Sequence, residues 1–438
     1  MTEKKKVVIV GAGASGMMAA IAAARNGAAV TVLEAMERPG RKLLLTGNGR
    51  CNITNTDPEL PELYYGSGSS HASSVIPQMD AEAVCKLFEE LGLLTIQKNG
   101  YVYPYTGQAS SVLEVLLTEL QRLKVKLKYN EKVDELLRQE DNTWLVRTAT
   151  WQYPADAVIM ACGSCAAPLT GSDGSGYRIA EQAGYRVNTP APALVTLCCE
   201  EQFLPALAGV RSRAAVSLYD ESGNHLIRKE SGELQWTKYG VSGIVIFQLS
   251  RFVSVQKVIN SAAVFQLSVD LFPDVESEML FHLIQARCRQ LSEAPLRVLL
   301  CGILNEKLIQ VVIERVFSGD TDHKAKTKQA KAKNKKEKQI LCNQITDLQI
   351  EALTDCMKNF KLTVTDTKSF DTAQVCAGGV DASQLDTQTM ESLLHRNLYF
   401  VGELVDTDGP CGGFNLQWAW SSGWVAGTAA AKQEDICS

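Results

Sequence analysis

Lys6-Val-Val-Ile-Val-Gly-Ala-Gly-Ala-Ser-Gly16 is the stretch on which the fold turns. Its apolar run has no polar alternation, as a parallel strand buried on both faces requires. Three glycines spaced GxGxxG follow at once, and the alanine-rich segment 17–25 after them is a good helix former. Ala29-Val-Thr-Val-Leu33 reads as a second buried strand, ending at Glu34. Strand, glycine turn, helix and strand make one β-α-β unit, so the pattern is α/β and Rossmann-like. Each part has a task in holding a dinucleotide. Gly11 makes the tight turn, Gly13 lets backbone approach a pyrophosphate, and Gly16 permits close packing of helix on strand. Ala14 and Ser15 open the helix, whose unpaired N–H groups and positive dipole end favour phosphate. Glu34, 18 residues beyond Gly16, is placed to accept hydrogen bonds from both ribose hydroxyls. A carboxylate there repels a 2′-phosphate and excludes NADP from this site.

Working outward, 438 residues exceed one ordinary domain. A make-up of 45% hydrophobic and 21% charged residues is that of a globular protein with a large core. The net charge of −5 argues against nucleic acid as the main partner. Met1-Thr-Glu-Lys-Lys-Lys6 passes straight into a strand without the apolar stretch of a signal peptide. No apolar run reaches the roughly 18 residues of a membrane helix, so a cytoplasmic protein is expected. Thirteen cysteines cannot all pair, and they read as reduced core residues. Only Cys162 and Cys165 have CxxC spacing, which a redox dithiol would also use. The histidines are isolated and none has metal-ligand spacing.

Helical patterns are expected at 80–92 and 109–123, and strands at 125–129, 132–138 and 143–149. Asp156-Ala-Val-Ile-Met-Ala161 is again a buried strand leading to Gly163. Pro190 and Pro192 mark a boundary. Beyond it, strand-like segments at 194–199, 213–219 and 263–270 precede helical patterns near 276–292, 302–317 and 340–358. The expected organisation is a discontinuous nucleotide domain, 1–193 with 366–438, around an inserted region 194–365. That insert is read as β-rich over 194–275 and helical over 276–365. The segment 323–338 carries eight lysines and one glutamate. It reads as a solvated linker or exposed helix start, with an RNA-binding surface as the alternative.

Two further segments separate FAD from NAD. The strand ending Ala161-Cys-Gly163 matches the second strand–glycine signature of FAD enzymes in the glutathione-reductase style. Leu398-Tyr-Phe-Val-Gly-Glu403 matches the third, an apolar strand running into a glycine (Gly402) and an acid (Glu403). In that motif the acid faces the ribityl or phosphate region. Asp406-Thr-Asp408-Gly409-Pro-Cys-Gly412-Gly413-Phe414-Asn415-Leu-Gln417 then opens a helix. Its glycines let backbone lie against a flat ring, and the helix's positive end would stabilise reduced flavin.

The sequence resembles the BaiN/RdsA-type FAD-dependent oxidoreductases, a bacterial family that includes aminoacetone oxidases and a flavin-dependent bile-acid reductase. The matching blocks run the length of the chain. They are Gly11 to Gly16, Arg41-Lys42, Thr46-Gly47-Asn-Gly49-Arg50-Cys51-Asn52, Gly171-Ser-Asp-Gly-Ser-Gly176, Gly232 to Gly243, Ala377-Gly-Gly-Val380 and Gly402 to Gln417. The resemblance implies an FAD domain interrupted by an insert, part β-barrel and part helical. It implies that Arg41 and Lys42 lie near the FAD phosphates, that Asn52 and Asn415 frame the flavin, and that Val133 offers backbone to adenine. The chain departs from the family at Cys162 and Cys165, where Ala-Thr/Cys-Gly-Gly is usual and the second glycine is missing. Cys51 and Cys411 read as inert buried thiols beside the flavin pocket.

Flavin carries the redox step, and the protein positions the partner. With no second GxGxxG after a strand, NADH or NADPH is expected to dock transiently at the flavin face. Tyr239, Trp236 and Phe414 are candidates for contacting the ring. The expected reaction is NAD(P)H-driven reduction of an activated C=C bond in a small substrate, such as a steroid-like acid. An amine oxidase of the aminoacetone type and an RNA-interacting flavoprotein are the alternatives. No acid–base pair stands out as catalytic.

Overall fold

A computed structural model describes residues 4–57, 59–317 and 340–433. The lysine-rich segment 323–338 lies outside the described residues. The chain divides into two units, one running to Leu194 and resuming at Ser369, the other Val195–Lys368.

The first unit is built on strands β1 (Lys6–Val10), β2 (Ala29–Glu34), β3 (Lys126–Tyr129) and β4 (Ala157–Met160), with helix α1 (Ala14–Arg25) between the first two. After the second unit come strand β5 (Leu398–Phe400) and helix α2 (Phe414–Ala431). The five strands form one sheet in the order β5-β4-β1-β2-β3, every neighbour parallel. Val7, Val8, Ile9 and Val10 of β1 are all buried, as a central parallel strand must be. The unbroken apolar run of the sequence therefore has its cause in two covered faces.

Helix α2 packs on α1 through small residues. A Cβ at Gly423 would lie 2.4 Å from the Ser15 carbonyl oxygen, and one at Gly427 would lie 2.3 Å from that of Ala19. Both pairs are spaced by four, so each set lies on one face of its helix. The two backbones come close because α2 has glycines there and α1 only the small Ser15 and Ala19. Trp418 and Trp420, both buried, flank this seam; the Trp420 Nε1–H donates to the Ile53 carbonyl at 2.9 Å.

The second unit closes a barrel from Leu197–Cys199, Gly240–Ser242, Leu226–Thr237, Arg211–Tyr219, Phe265–Asp270 and Phe360–Thr367. Helices Ser277–Gln290, Glu306–Phe317 and Asp347–Lys358 lie where the sequence pattern expects them. Three of the longer elements were not expected. Leu226–Thr237 is a strand despite Arg228, Lys229, Glu230 and Glu233, because its charged half stands in solvent. Ile244–Ile259 is a helix although it opens on β-branched residues. Phe360–Thr367 closes the barrel inside the part expected to be helical; Phe360, Leu362 and Val364 point inward, with Lys361 and Thr363 between them. Among the described residues, no helix is long and apolar enough to cross a membrane.

Candidate functional site

The GxGxxG turn separates into glycines the protein needs and one it does not. Gly11, at φ 101°, gives its N–H to the Leu33 carbonyl at 2.7 Å. A Cβ there would lie 2.6 Å from the Ala161 carbonyl oxygen. At Gly16 it would lie 1.9 Å from the Gly11 carbonyl oxygen. At Gly13 it would meet nothing within 4 Å. The protein leaves an open space beside Gly13, at the point where the first turn of α1 presents N–H groups without intrahelical acceptors. Anion chemistry suits that space.

The Glu34 carboxylate accepts from the Ala12 N–H at 2.8 Å and from the Met36 N–H at 2.9 Å. A carboxylate has about four acceptor positions, so capacity remains for ribose hydroxyls. The Glu131 N–H bonds the Glu34 carbonyl at 2.9 Å, which brings the start of strand Val133–Arg138 to this end of β2. Val133 itself is buried.

Of the other sequence-predicted residues, Gly402 and Ala161 lie beside this turn and the start of α1. Gly402 (φ 65°) stands so close to α1 that a Cβ would meet the Ser15 hydroxyl at 2.6 Å. Its N–H donates to the Ser422 hydroxyl at 3.0 Å, and the Trp418 Nε1–H donates to its carbonyl at 3.0 Å. Ala161 packs on Gly11 and Gly16, and Gly163 on Ser172. Gly413, the left-handed cap of α2, lies against the Thr54 backbone, and Gly412 against the Tyr101 ring. Gly47 and Gly49 take positive φ in the loop before Cys51, where Gly47 approaches the Asn52 backbone nitrogen.

The side chains refine the expectations. Lys42 forms an ion pair with Glu403, and the Ser164 hydroxyl donates to the same carboxylate at 2.9 Å. Cation and acid expected separately around a cofactor thus neutralise each other. Arg41 makes no ion pair or hydrogen bond among the described residues. Arg50 lies 5.0 Å over the Tyr103 ring. Asn415 ties its own loop, accepting from the Gly409 N–H at 2.9 Å and donating to the Gly409 and Pro410 carbonyls. Gly409 packs against Tyr64, whose hydroxyl donates to the Phe414 carbonyl at 2.6 Å. Asp408 is buried, and its backbone bridges to Tyr65. Asn52 is different: it is buried, and its Oδ1 accepts no hydrogen bond. A buried acceptor without a donor is costly, and a bound molecule with an N–H or O–H would satisfy it.

Trp236 belongs to the barrel core, packed edge-on to Phe360 at 5.4 Å, and Tyr239 carries Lys368 over its ring at 3.7 Å. The CxxC spacing is a coincidence of sequence. Cys162 turns inward against Gly176, while the sulfur of Cys165 lies 3.5 Å from that of Cys376.

Cys51 has no exposure, and burial pushes its thiol up to about 12 against a hydrogen bond with Thr46. At about pH 8 the reactive thiolate fraction is then on the order of 10⁻⁴. Iodoacetamide should label exposed Cys301 while leaving Cys51 untouched in the folded protein. Equal labelling, read by peptide mass spectrometry, would sink the inert reading. Burial also pushes Cys411 up to about 11.

Asp406 and Ser164 were missed as individual residues. Asp406 is buried and accepts from the Ser67 N–H at 2.9 Å, the Asn188 side-chain amide at 2.8 Å and the Gly378 N–H at 3.0 Å. The signal available was position, an acid four residues after Gly402 in the same motif.

The family described as HI0933-like protein Rossmann domain matches residues 5–429. The chain belongs to this family. Its first unit has the parallel sheet of the Rossmann-type fold that the family's description names. It is 38% identical over 98% of its length to the 3-dehydro-bile acid delta(4,6)-reductase of Clostridium scindens, covering 99% of that protein. It is 27% identical over 99% of its length to the ribosomal RNA dihydrouridine synthase of Haemophilus influenzae, covering 100% of that protein. The enzyme of the same name from Escherichia coli is 27% identical over 97% of each chain.

Proposed function

We propose that this HI0933-like chain is an FAD-dependent reductase. It takes reducing equivalents from NADH or NADPH and adds two hydrogens across a conjugated C=C bond of a small 3-oxo acid of steroid type. The observation that carries the reading is the 38% identity, over nearly the whole of both chains, to a protein named as a reductase of such an acid. The dinucleotide cradle supports it. The N–H groups at the start of α1 beside Gly13 would hold pyrophosphate, Glu34 the ribose, and Val133 backbone the adenine. Asn52 would give its unpaired Oδ1 to the imide N–H of the ring. Arg41, Gly47, Gly49, Gly412 and Gly413 would line the remainder. Bound FAD supplies two-electron hydride transfer at its ring. The start of α2 places free N–H groups and a positive dipole end where negative charge can be stabilised. The Lys42–Glu403 pair keeps a neutralised, part-buried polar wall between Ser164 and α1.

A second reading makes a uridine of RNA the acceptor. The two relatives named ribosomal RNA dihydrouridine synthase favour it, since dihydrouridine is uridine with two added hydrogens. One anaerobic series tests both. Reduced nicotinamide should bleach the flavin rapidly while aminoacetone does not, and a 4-ene-3-oxo bile acid should then restore its absorbance. Restoration by ribosomal RNA but not by the bile acid would replace the first reading with the second. Bleaching by aminoacetone alone would overturn both.

A further inference from the structure

Cys165 follows β4 in the loop that also holds Cys162 and Ser164; Cys376 lies 211 residues further on, in the strand Val375–Val380. Their sulfurs are 3.5 Å apart and both are free thiols. Cys376 is buried at 3% exposure, while Cys165 is only partly buried, so of the two it is the one nearer solvent. The surroundings sort the two sulfurs. The hydrogen bond with Cys376 lowers the Cys165 thiol, burial opposes this, and the paired Lys42 ammonium and Glu403 carboxylate act on it in opposite senses. Cys376 is raised, first by that same hydrogen bond and then by burial. Of the two, Cys165 is therefore the one that ionises more readily. Cys162, by contrast, is pushed up to about 12 by burial and packs against Gly176.

We propose that Cys165 and Cys376 form a hydroperoxide-oxidisable dithiol that closes to a disulfide, a modification site that bypasses the CxxC spacing. The Cys165 thiolate attacks the distal oxygen of a hydroperoxide: an S–O bond forms, the O–O bond breaks, and the leaving oxygen takes a proton. The Cys376 sulfur then attacks the Cys165 sulfenic acid, forming the S–S bond and releasing water. With hydrogen peroxide the balance is two thiols and one peroxide to one disulfide and two waters. Two small thiols reverse it by disulfide exchange, becoming oxidised themselves. Ser164 adjoins Cys165 and holds Glu403, so closure alters the hydroxyl that braces the Lys42–Glu403 pair. The proposal does not depend on which substrate the enzyme reduces.

The test treats the full-length holoenzyme with graded hydrogen peroxide, blocks remaining thiols with iodoacetamide and maps peptides by mass spectrometry. A Cys165–Cys376 cross-linked peptide is expected, with two fewer free thiols per chain and full recovery by dithiothreitol. In Cys376→Ser, a sulfenic acid at Cys165 should accumulate and react with dimedone; in Cys165→Ser, Cys376 should stay unlabelled. Should Cys376→Ser not fold, the cross-link map of the unsubstituted protein decides alone. Recovery of Cys165 as thiol or sulfinic acid, or cross-linked to Cys162, at doses that fully modify exposed Cys301 would overturn the assignment.

Discussion

Gly16→Ala is expected to yield no folded protein, whereas Gly13→Ala folds normally and fails to hold its flavin. The two glycines stand three residues apart in one motif and do opposite things. At Gly16 a methyl would be driven to 1.9 Å from a backbone carbonyl oxygen at the end of the central strand. Neither partner is a flexible side chain, so α1 must lift off the sheet. The cost should exceed about 4 kcal/mol, a large share of the roughly 5–15 kcal/mol that stabilises a domain. At Gly13 the backbone sits at φ −81° and ψ −170°, open to any residue, with nothing near the added methyl. Less freedom in the unfolded chain stabilises by about 0.4–1 kcal/mol, and alanine's weaker helix-capping opposes that. Thermal unfolding of the flavin-free protein should therefore shift by only a few degrees. Flavin binding should weaken on the order of a hundredfold, about 2.7 kcal/mol, as charge-assisted phosphate contacts are displaced. A Gly13→Ala protein that purifies as yellow as its parent would refute the cradle.

The second large effect is expected at Asp406. Its carboxylate gathers the Ser67 N–H, the Asn188 amide and the Gly378 N–H, from three segments far apart in sequence. Asp406→Ala strands these donors in a buried place, each at about 1–3 kcal/mol before water relieves part of it. A loss of about 3–5 kcal/mol, read from the urea midpoint, is expected. Asp406→Asn should lose roughly half as much, because one oxygen still accepts while the amide faces other donors. An alanine variant within about 1 kcal/mol of its parent would show that the three segments are held by something else.

These two positions mark what the sequence discloses. Gly16 was legible because its reason is local: strand, turn and helix are contiguous, and the pattern encodes its own packing. Helix α2, expected at 414–431, was legible for the same reason, with its small residues and glycine cap in one run. Asp406 was not, since two of its three donors sit more than 200 residues away and no periodicity records them. Cys165 failed likewise: spacing suggested Cys162 as its partner, while the fold supplied Cys376. The barrel shows a third case. Phe360–Thr367 alternates cleanly, but the helical texture before it masked the change of period. The Lys42–Glu403 pair adds that a motif names charges without disclosing which of them meet.

The bare seam between α1 and α2 sets the order in which this molecule can be completed. Gly423 and Gly427 leave the ribosome some 400 residues after Ser15 and Ala19, on the order of tens of seconds at ordinary translation rates. Throughout that interval the small-residue face of α1 stands without its partner, while the whole of Val195–Lys368 is synthesised between. Birth order thus favours maturation of the insert first, and keeps α1 waiting for α2 until the insert is made.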